Sequence, residues 1–519
     1  MKLLEKTAEA RYQSAWGIKA DLQECKLQFA KTGKISHFSL AQKDISDRFQ
    51  IPQKLYGRES EIDTLVAAFE RVASGKAEMM LVAGYSGIGK SVLVKEIYKS
   101  LSEKQGYFIA GKFDQFQRNI PYSAVVNAFK ELAQQLLTEK ERCLLLWKEK
   151  LGAALGPNGQ VIIDVIPEIE LIIGKQPPVP KLGATESQNR FNLVFQNFMQ
   201  VFCQPEHPLV MFLDDLQWVD SATLKLLELI MSDKDNMALF LIGAYRDNEV
   251  SPTHPLMMTL DKLRRDAMHC VSTMPCVSTM HCVSTINQIT LKPLAFEHIN
   301  QLIAESLHHN LEAVSALTDL VRRKTGGNPF FVNQFLHTLY EENLLQFRYP
   351  DSNLTGFQNL SGLGKWTWNI EQIETLNITD NVVDLMIGKL KKLPSSAQQI
   401  LRLAACIGNH FDLDTLSVIY EKSPAETFQD IMPVLTEGLI LPLSEPEMIG
   451  DNIHNEPSGY FVSPFIIHHL QFLHDRVQQA AYVLIDDKHK RTVHLLSLIH
   501  ISEPTRLLSS SYAVFCLRK

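Results

Sequence analysis

The stretch GYSGIGKS, Gly84 to Ser91, decides the fold once it is read together with LVMFLDD, Leu209 to Asp215. The first fits the spacing G-x-x-x-x-G-K-[ST], a loop whose backbone wraps around phosphate groups. The second is an apolar run closing on two carboxylates, the pattern of a buried strand that delivers acid groups to a magnesium ion. Gly84, Gly87 and Gly89 permit a tight turn in which successive N–H groups face phosphate with no Cβ in the way. A helix starting after Lys90 adds its own unpaired N–H groups and the positive end of its dipole. Lys90 supplies a mobile positive charge for the phosphates, and the Ser91 hydroxyl is placed to ligate Mg²⁺.

The flanks agree with a P-loop. Met79 to Ala83 (MMLVA) reads as a buried strand before the loop, and Leu93, Ile97 and Leu101 recur at helical spacing after it. Further short apolar runs follow at Tyr107 to Gly111, Leu209 to Leu213, Ala238 to Tyr245 and Ile286 to Leu291, separated by helical stretches. Strand–helix alternation of this kind predicts a parallel sheet with helices on both faces. The expected fold class is α/β, a P-loop NTPase sheet, followed by a helical stretch and a winged-helix-like helical domain; the resemblance described below implies that the sheet is AAA-like and the helical stretch a lid. Between Val125 and Ile173 the pattern turns helical, an insertion or long crossover, and PPVP at Pro177 to Pro180 marks a loop.

Composition narrows the class of protein. The chain has 519 residues, enough for about three domains, with 45% hydrophobic and 21% charged residues, as in ordinary globular proteins. A formal net charge of −7 leaves no basic footprint for nucleic acid. No apolar run is long enough to span a bilayer, and MKLLEKTAEARY is charged and helical, unlike a signal peptide. A cytoplasmic protein with neither a membrane nor a nucleic-acid partner is expected. The eight cysteines show no C-x-x-C pair, so reduced thiols are the default.

The expected organisation is a helical piece over 1–35, a linker over 36–54, the P-loop domain over 55–293, a helical lid over 294–346, a loop over 347–377 and a winged-helix-like domain over 378–495. Two segments stand apart. Met268 to Thr285 (MHCVSTMPCVSTMHCVST) is a threefold hexapeptide repeat. Its Cys270, Cys276, Cys282, His269 and His281 could form a soft-metal site, but a tandem duplication in a surface loop explains the same residues. The tail, LSLIHISEPTR (Leu496 to Arg506) and SYAVFCL (Ser511 to Leu517), resembles the translation of a sequencing-library adapter. It is set aside from the fold, with the natural reading frame expected to leave the chain near Leu495.

Five strings in order carry a family resemblance: LYGRE (Leu55 to Glu59), GYSGIGKS, FLDDLQWVD (Phe212 to Asp220), GAYRDNEV (Gly243 to Val250) and GGNPFF (Gly326 to Phe331). Together they resemble a STAND-class AAA-type signalling ATPase. More narrowly, they resemble the ATPase module of large bacterial proteins, typical of cyanobacteria, that join a serine/threonine kinase, this ATPase, a GAF domain and a histidine kinase. The start, LLEKTAEARYQSAWGIKADLQEC, resembles the last helices of a protein kinase C-lobe with Arg11 at its structural arginine. No H-R-D or D-F-G string occurs, so no complete kinase catalytic domain is expected.

The resemblance implies roles for particular residues. Tyr56, Gly57 and Arg58 would contact the adenine, although Arg58 could instead make a structural ion pair. Asp214 would hold Mg²⁺ and Asp215 would orient or deprotonate the attacking water. Arg246 would sense the γ-phosphate, with a surface arginine as the alternative. Pro329 of Gly327-Asn328-Pro329 would pack on the adenine, though a helix opening with proline explains it as well. His474 would touch the β-phosphate of ADP from the winged-helix unit, or be structural. ESQNRF (Glu186 to Phe191) and KFDQFQRNIPYS (Lys112 to Ser123) are typical of the family without an evident chemical role. The function implied is an ATP/ADP- and Mg²⁺-dependent, slowly hydrolysing switch that bridges its domains when ADP-bound. It would regulate linked kinase and sensor domains and self-associate with ATP. A non-hydrolysing nucleotide-binding scaffold and a winged-helix transcriptional regulator are the rival readings. The acidic, apolar DLDTLSVIYEKS (Asp412 to Ser423) speaks against the second of these.

Overall fold

In a computed structural model of the chain, the described residues are 2–5, 11–41, 44, 48–104, 106–114, 120–232, 238–272, 285–348, 365–375, 382–443, 447–448 and 465–485. They divide into two compact units. One comprises Met1–Ser60, Gly87–Gly89 and Lys292–Ile378; the other comprises Glu61–Ser86, Lys90–Leu291 and Thr379–Lys519.

The second unit is built on a five-stranded sheet of β1 (Glu78–Ala83), β2 (Tyr107–Lys112), β3 (Leu209–Asp214), β4 (Leu239–Tyr245) and β5 (Thr285–Thr290). All pairings are parallel and the order is β2-β3-β4-β1-β5. The sheet is the parallel α/β core of a P-loop NTPase, with β4 inserted between the loop-bearing β1 and the acid-bearing β3. β1 and β4 are buried along their whole length, which is why, apart from the buried Glu78 that opens β1 and pairs with Arg71, they read as apolar runs and not as alternating ones. β5 starts one residue earlier than its sequence pattern suggests.

The helix after the phosphate loop is shorter than the Leu93–Ile97–Leu101 spacing predicts. It ends at Lys95 and a second segment, Tyr98–Glu103, follows a turn closed by Glu96 N–H to Leu93 O and Ile97 N–H to Val94 O. All three apolar residues are nevertheless buried. The stretch after β2 forms the helices Ser123–Leu137, Glu141–Leu155 and Ala184–Gln200, with the short helices Gly159–Ile163 and Glu170–Ile173 between the last two. An aromatic cluster of Phe129, Phe195, Phe198 and Phe202 joins this layer, with ring centroids 5.1–6.2 Å apart.

The C-terminal part of the second unit is winged-helix-like. The helices Val382–Lys392, Ser395–Ile407, Leu413–Tyr420 and Pro424–Thr436 alternate along the chain with a three-stranded antiparallel sheet of His410–Asp412, His469–Phe472 and Ile440–Pro442, in that spatial order. Ser423 and Glu426 form a capping box at the last of these helices. The final described helix is Asp475–Val483, whose N-cap is His474.

The first unit contains the helices Phe296–Leu307, Ser315–Thr325 and Pro329–Glu341, and a hairpin of Leu345–Arg348 with Lys365–Trp368. Part of the predicted 347–377 loop is thus strand and short helix, Ile370–Thr375, while Tyr349 to Gly364 lies outside the described residues. The stretch expected as a linker is packed: Phe49 is buried and stacks on Tyr340 with a centroid distance of 5.4 Å. The helix Ala15–Thr32 is capped by Ser14 and closed by Gly33 at φ +67°. The tail after residue 485 and the repeat between residues 273 and 284 lie outside the described residues.

Candidate functional site at the phosphate loop

The ends of β1, β2, β3 and β4 deliver the candidate side chains of the second unit. Gly84 follows β1 with φ +151°, a conformation closed to most L side chains. Lys90 is buried, and its ammonium donates to Gly84 O at 2.9 Å and Tyr85 O at 3.1 Å. Burial lowers its pKa, while the carboxylates of Asp214 and Asp215 hold the charge in place. Ser91 Oγ donates to Asp214 Oδ2 at 2.7 Å, so the hydroxyl and the carboxylate stand side by side. This oxygen pair fits a hard divalent cation such as Mg²⁺, which keeps waters and takes one or two protein oxygens.

Asp215 sits at the turn after β3, at φ +59° and ψ +44°. It is 3% exposed, and its Oδ1 accepts from Gln217 Nε2 at 2.7 Å. Arg246 Nε and Lys112 Nζ each lie 3.4 Å from its carboxylate. Burial, with the nearby Asp214 and Asp475 carboxylates, pushes Asp215 up to about 7 against the pull of these two cations. A carboxyl poised there can hold or release a proton at neutral pH.

Arg246, at the end of β4, is 2% exposed. Its guanidinium pairs with Asp475 Oδ2 at 2.6 Å and Glu249 Oε1 at 2.7 Å, and it lies 4.7 Å from the centre of the Trp218 ring. Lys112 Nζ also pairs with Asp475. Burial raises the Asp475 pKa, but Lys112, His474 and Arg246 outweigh it and hold this carboxyl well below the usual range. His474 accepts the Arg476 N–H at 3.0 Å through Nδ1, capping the helix that Asp475 opens. Burial lowers the His474 pKa to about 4, so the ring is neutral at physiological pH.

The predicted residues Lys90, Ser91, Asp214, Asp215, Arg246 and His474 therefore all lie in one unit, several of them in a single charge network. Sequence reasoning missed Asp475 and Lys112 as members of that network. The signal for Lys112 was the polar string that opens at the end of β2; Asp475 carried none beyond its place next to His474.

In the first unit the other predicted residues gather. Tyr56 Oη donates to Glu305 at 2.9 Å, and burial followed by this hydrogen bond raises the phenol's pKa. Arg58 is buried and donates to the Lys292 carbonyl at 2.5 Å. Gly57 has φ +61°, and a Cβ there would come within 2.3 Å of the His298 ring. Asn328 caps the helix opened by Pro329. Phe330 N–H donates to Gly87 O at 3.2 Å, and Gly87 and Gly89 have φ +80° and +99°.

Residues 54–242 match the profile of the AAA ATPase domain. Over 95% of its length the chain is 31% identical to hybrid signal transduction histidine kinase G of Dictyostelium discoideum, covering 16% of that protein. It is 22% identical over 86% of its length to the peroxide stress-activated histidine kinase mak3 of Schizosaccharomyces pombe, covering 21% of it. The chain thus spans a minor part of the curated relatives it matches, and these are eukaryotic, whereas the sequence resemblance pointed to a bacterial protein. A solved STAND protein with a tetratricopeptide repeat sensor from Pyrococcus horikoshii aligns with 91% of this chain and 49% of its own, at 12% identity and a TM-score of 0.40. Cdc6p of Pyrobaculum aerophilum aligns with 88% of this chain and 97% of its own, at 10% identity and a TM-score of 0.34. The family profile, the phosphate loop and the parallel sheet agree on an AAA ATPase domain of the P-loop type across residues 54–242.

Proposed function

We propose that the chain is an ATP-binding, slowly hydrolysing switch of the STAND kind that regulates kinase modules linked to it in a longer signalling protein. The observation that carries the reading is the double grip of Asp475 on Arg246 and Lys112, next to the Ser91–Asp214 pair. A γ-phosphate offers those cations negative charge and anionic oxygen acceptors, as this carboxylate does, so the two compete. Exchange of Asp475 for phosphate frees the helix Asp475–Val483, and nucleotide state thereby biases the arrangement of the winged-helix-like region.

In this reading the phosphate loop and Lys90 bind the phosphates, and Ser91 and Asp214 hold Mg²⁺. When bound, the ion neutralises phosphate charge and fixes the orientation of the β- and γ-oxygens. Asp215 orients the attacking water and accepts its proton, and Arg246 reports whether the γ-phosphate is present. ADP or ATP is the nucleotide partner; the linked modules are of the histidine-kinase type seen in the similar proteins. The grip of Asp475 on both cations favours a switch over a static nucleotide-binding scaffold.

Native mass spectrometry of the purified full chain tests this. Stoichiometric ADP or ATP is expected, lost in Lys90→Ala, together with slow phosphate release from added ATP. An empty wild-type site that also fails to take up Mg-ATP would overturn the reading.

A further inference from the structure

Beside the charge network, with Lys112 and Asp475 in its wall, the second unit holds a cavity of about 290 Å³. Its walls come from the segment after β2 (Phe113, Asp114), from Trp218, from the helix Asp475–Val483 (Gln478, Tyr482) and from Asn409 of the winged-helix-like region. The size is near the lower end for small-molecule pockets, and much of the lining is aromatic or aliphatic. Asn409 is 9% exposed, and its Oδ1 has no hydrogen-bond partner. Its backbone is fixed on both sides: the N–H donates to Asp114 at 3.3 Å, and the carbonyl accepts the Phe472 N–H at 3.0 Å. Only the carboxamide can turn.

We infer that this cavity is a binding site for a small planar molecule, neutral or cationic, that carries an N–H donor. The unmatched Asn409 carbonyl asks for a donor, since a buried acceptor without one is disfavoured. Phe113, Trp218 and Tyr482 suit a flat ring. Anions are excluded by charge: Asp114 and Asp475 stand in the wall, and the one cation there, Lys112, already pairs with Asp475. Nucleotide phosphate therefore does not belong in it. The ligand rests on Trp218, over which Arg246 lies, and on the helix that begins at Asp475. Its occupancy tightens the hold on Arg246. This last consequence rests on the proposed switch; the binding itself does not.

The test uses 2-aminobenzimidazole, a flat cation with N–H donors, titrated into the full chain and followed by ligand-observed NMR and by tryptophan fluorescence. Saturable one-site binding with a Kd below about 1 mM is expected for a probe of this size. Excess ADP should leave it unchanged, and Asn409→Ala should weaken it roughly 5-fold. Val483→Trp, placing a large ring at the cavity rim, should abolish it with the thermal midpoint unchanged. No saturable signal up to the solubility limit overturns the inference. So does displacement by ADP, or equal affinity in wild type, Asn409→Ala and Val483→Trp. Because the readout is probe binding, failure here leaves the nucleotide reading intact, and a chain unable to bind ADP still reports on the cavity.

Discussion

At the scale of single residues, Asp215 and Asp475 illustrate two opposite fates of a carboxyl in one cluster. Burial next to two other carboxylates lifts Asp215 to about 7. Below that pH it carries the proton and cannot accept another, so ATP hydrolysis should rise as the pH goes from 6 to 8. Asp215→Asn should cut phosphate release at least ~100-fold and flatten that profile; steady-state rates across the range check both. Asp475 is held low, so its stabilising contribution is fully present above the unfolded value of about 3.9 and is lost as the pH falls through its lower folded value. Asp475→Asn leaves Arg246 and Lys112 short of a partner and should destabilise the chain by about 3 kcal/mol at pH 7. Urea titrations should show that gap closing only below about pH 4.

At the scale of elements, glycines separate close packing from open surface. A Cβ on Gly111 of β2 would lie 2.0 Å from the Ala124 carbonyl oxygen, backbone that cannot swing aside. The helix Ser123–Leu137 lies against the strand because that position is bare. Gly111→Ala should cost about 3 kcal/mol or more, as overpacking does. Gly152 is exposed in the helix Glu141–Leu155 and would meet nothing within 4 Å. Gly152→Ala should therefore stabilise by about 0.8 kcal/mol through helix propensity alone. Chemical denaturation of the two variants side by side discriminates a tight interface from a free surface. The same distinction explains what could be read beforehand at this scale. The strands β1, β3 and β4 were legible because burial on both faces writes an unbroken apolar run. The break after Lys95 was not, because Leu93, Ile97 and Leu101 keep helical spacing across a turn that only backbone hydrogen bonds define.

At the scale of the whole molecule, the balance of 51 basic against 58 acidic residues gives the −7 net charge. The helix Leu413–Tyr420 of the winged-helix-like region carries an acid and no Lys or Arg. Duplex DNA should not bind: fluorescence anisotropy of a labelled 20-base-pair duplex should stay flat to about 10 μM protein at 100 mM salt, where even non-specific binders begin to respond. Among the described residues no helix is long and apolar enough to cross a membrane.

The sequence by itself determined the phosphate loop, the acid-bearing strand, the α/β class and the candidate residues Lys90, Ser91, Asp214 and Asp215. Each rests on a local pattern: glycines where the backbone must turn, a β-strand's apolar run, a helix start. Only the tertiary structure decided that Arg246 is engaged by Asp475, 229 positions away, and that Lys112 meets the same carboxylate across 363 positions. Nothing in the spacing of such residues records their meeting. It follows from packing, which brings a sheet edge and a distant helix start into the same buried space, where charges have to find partners.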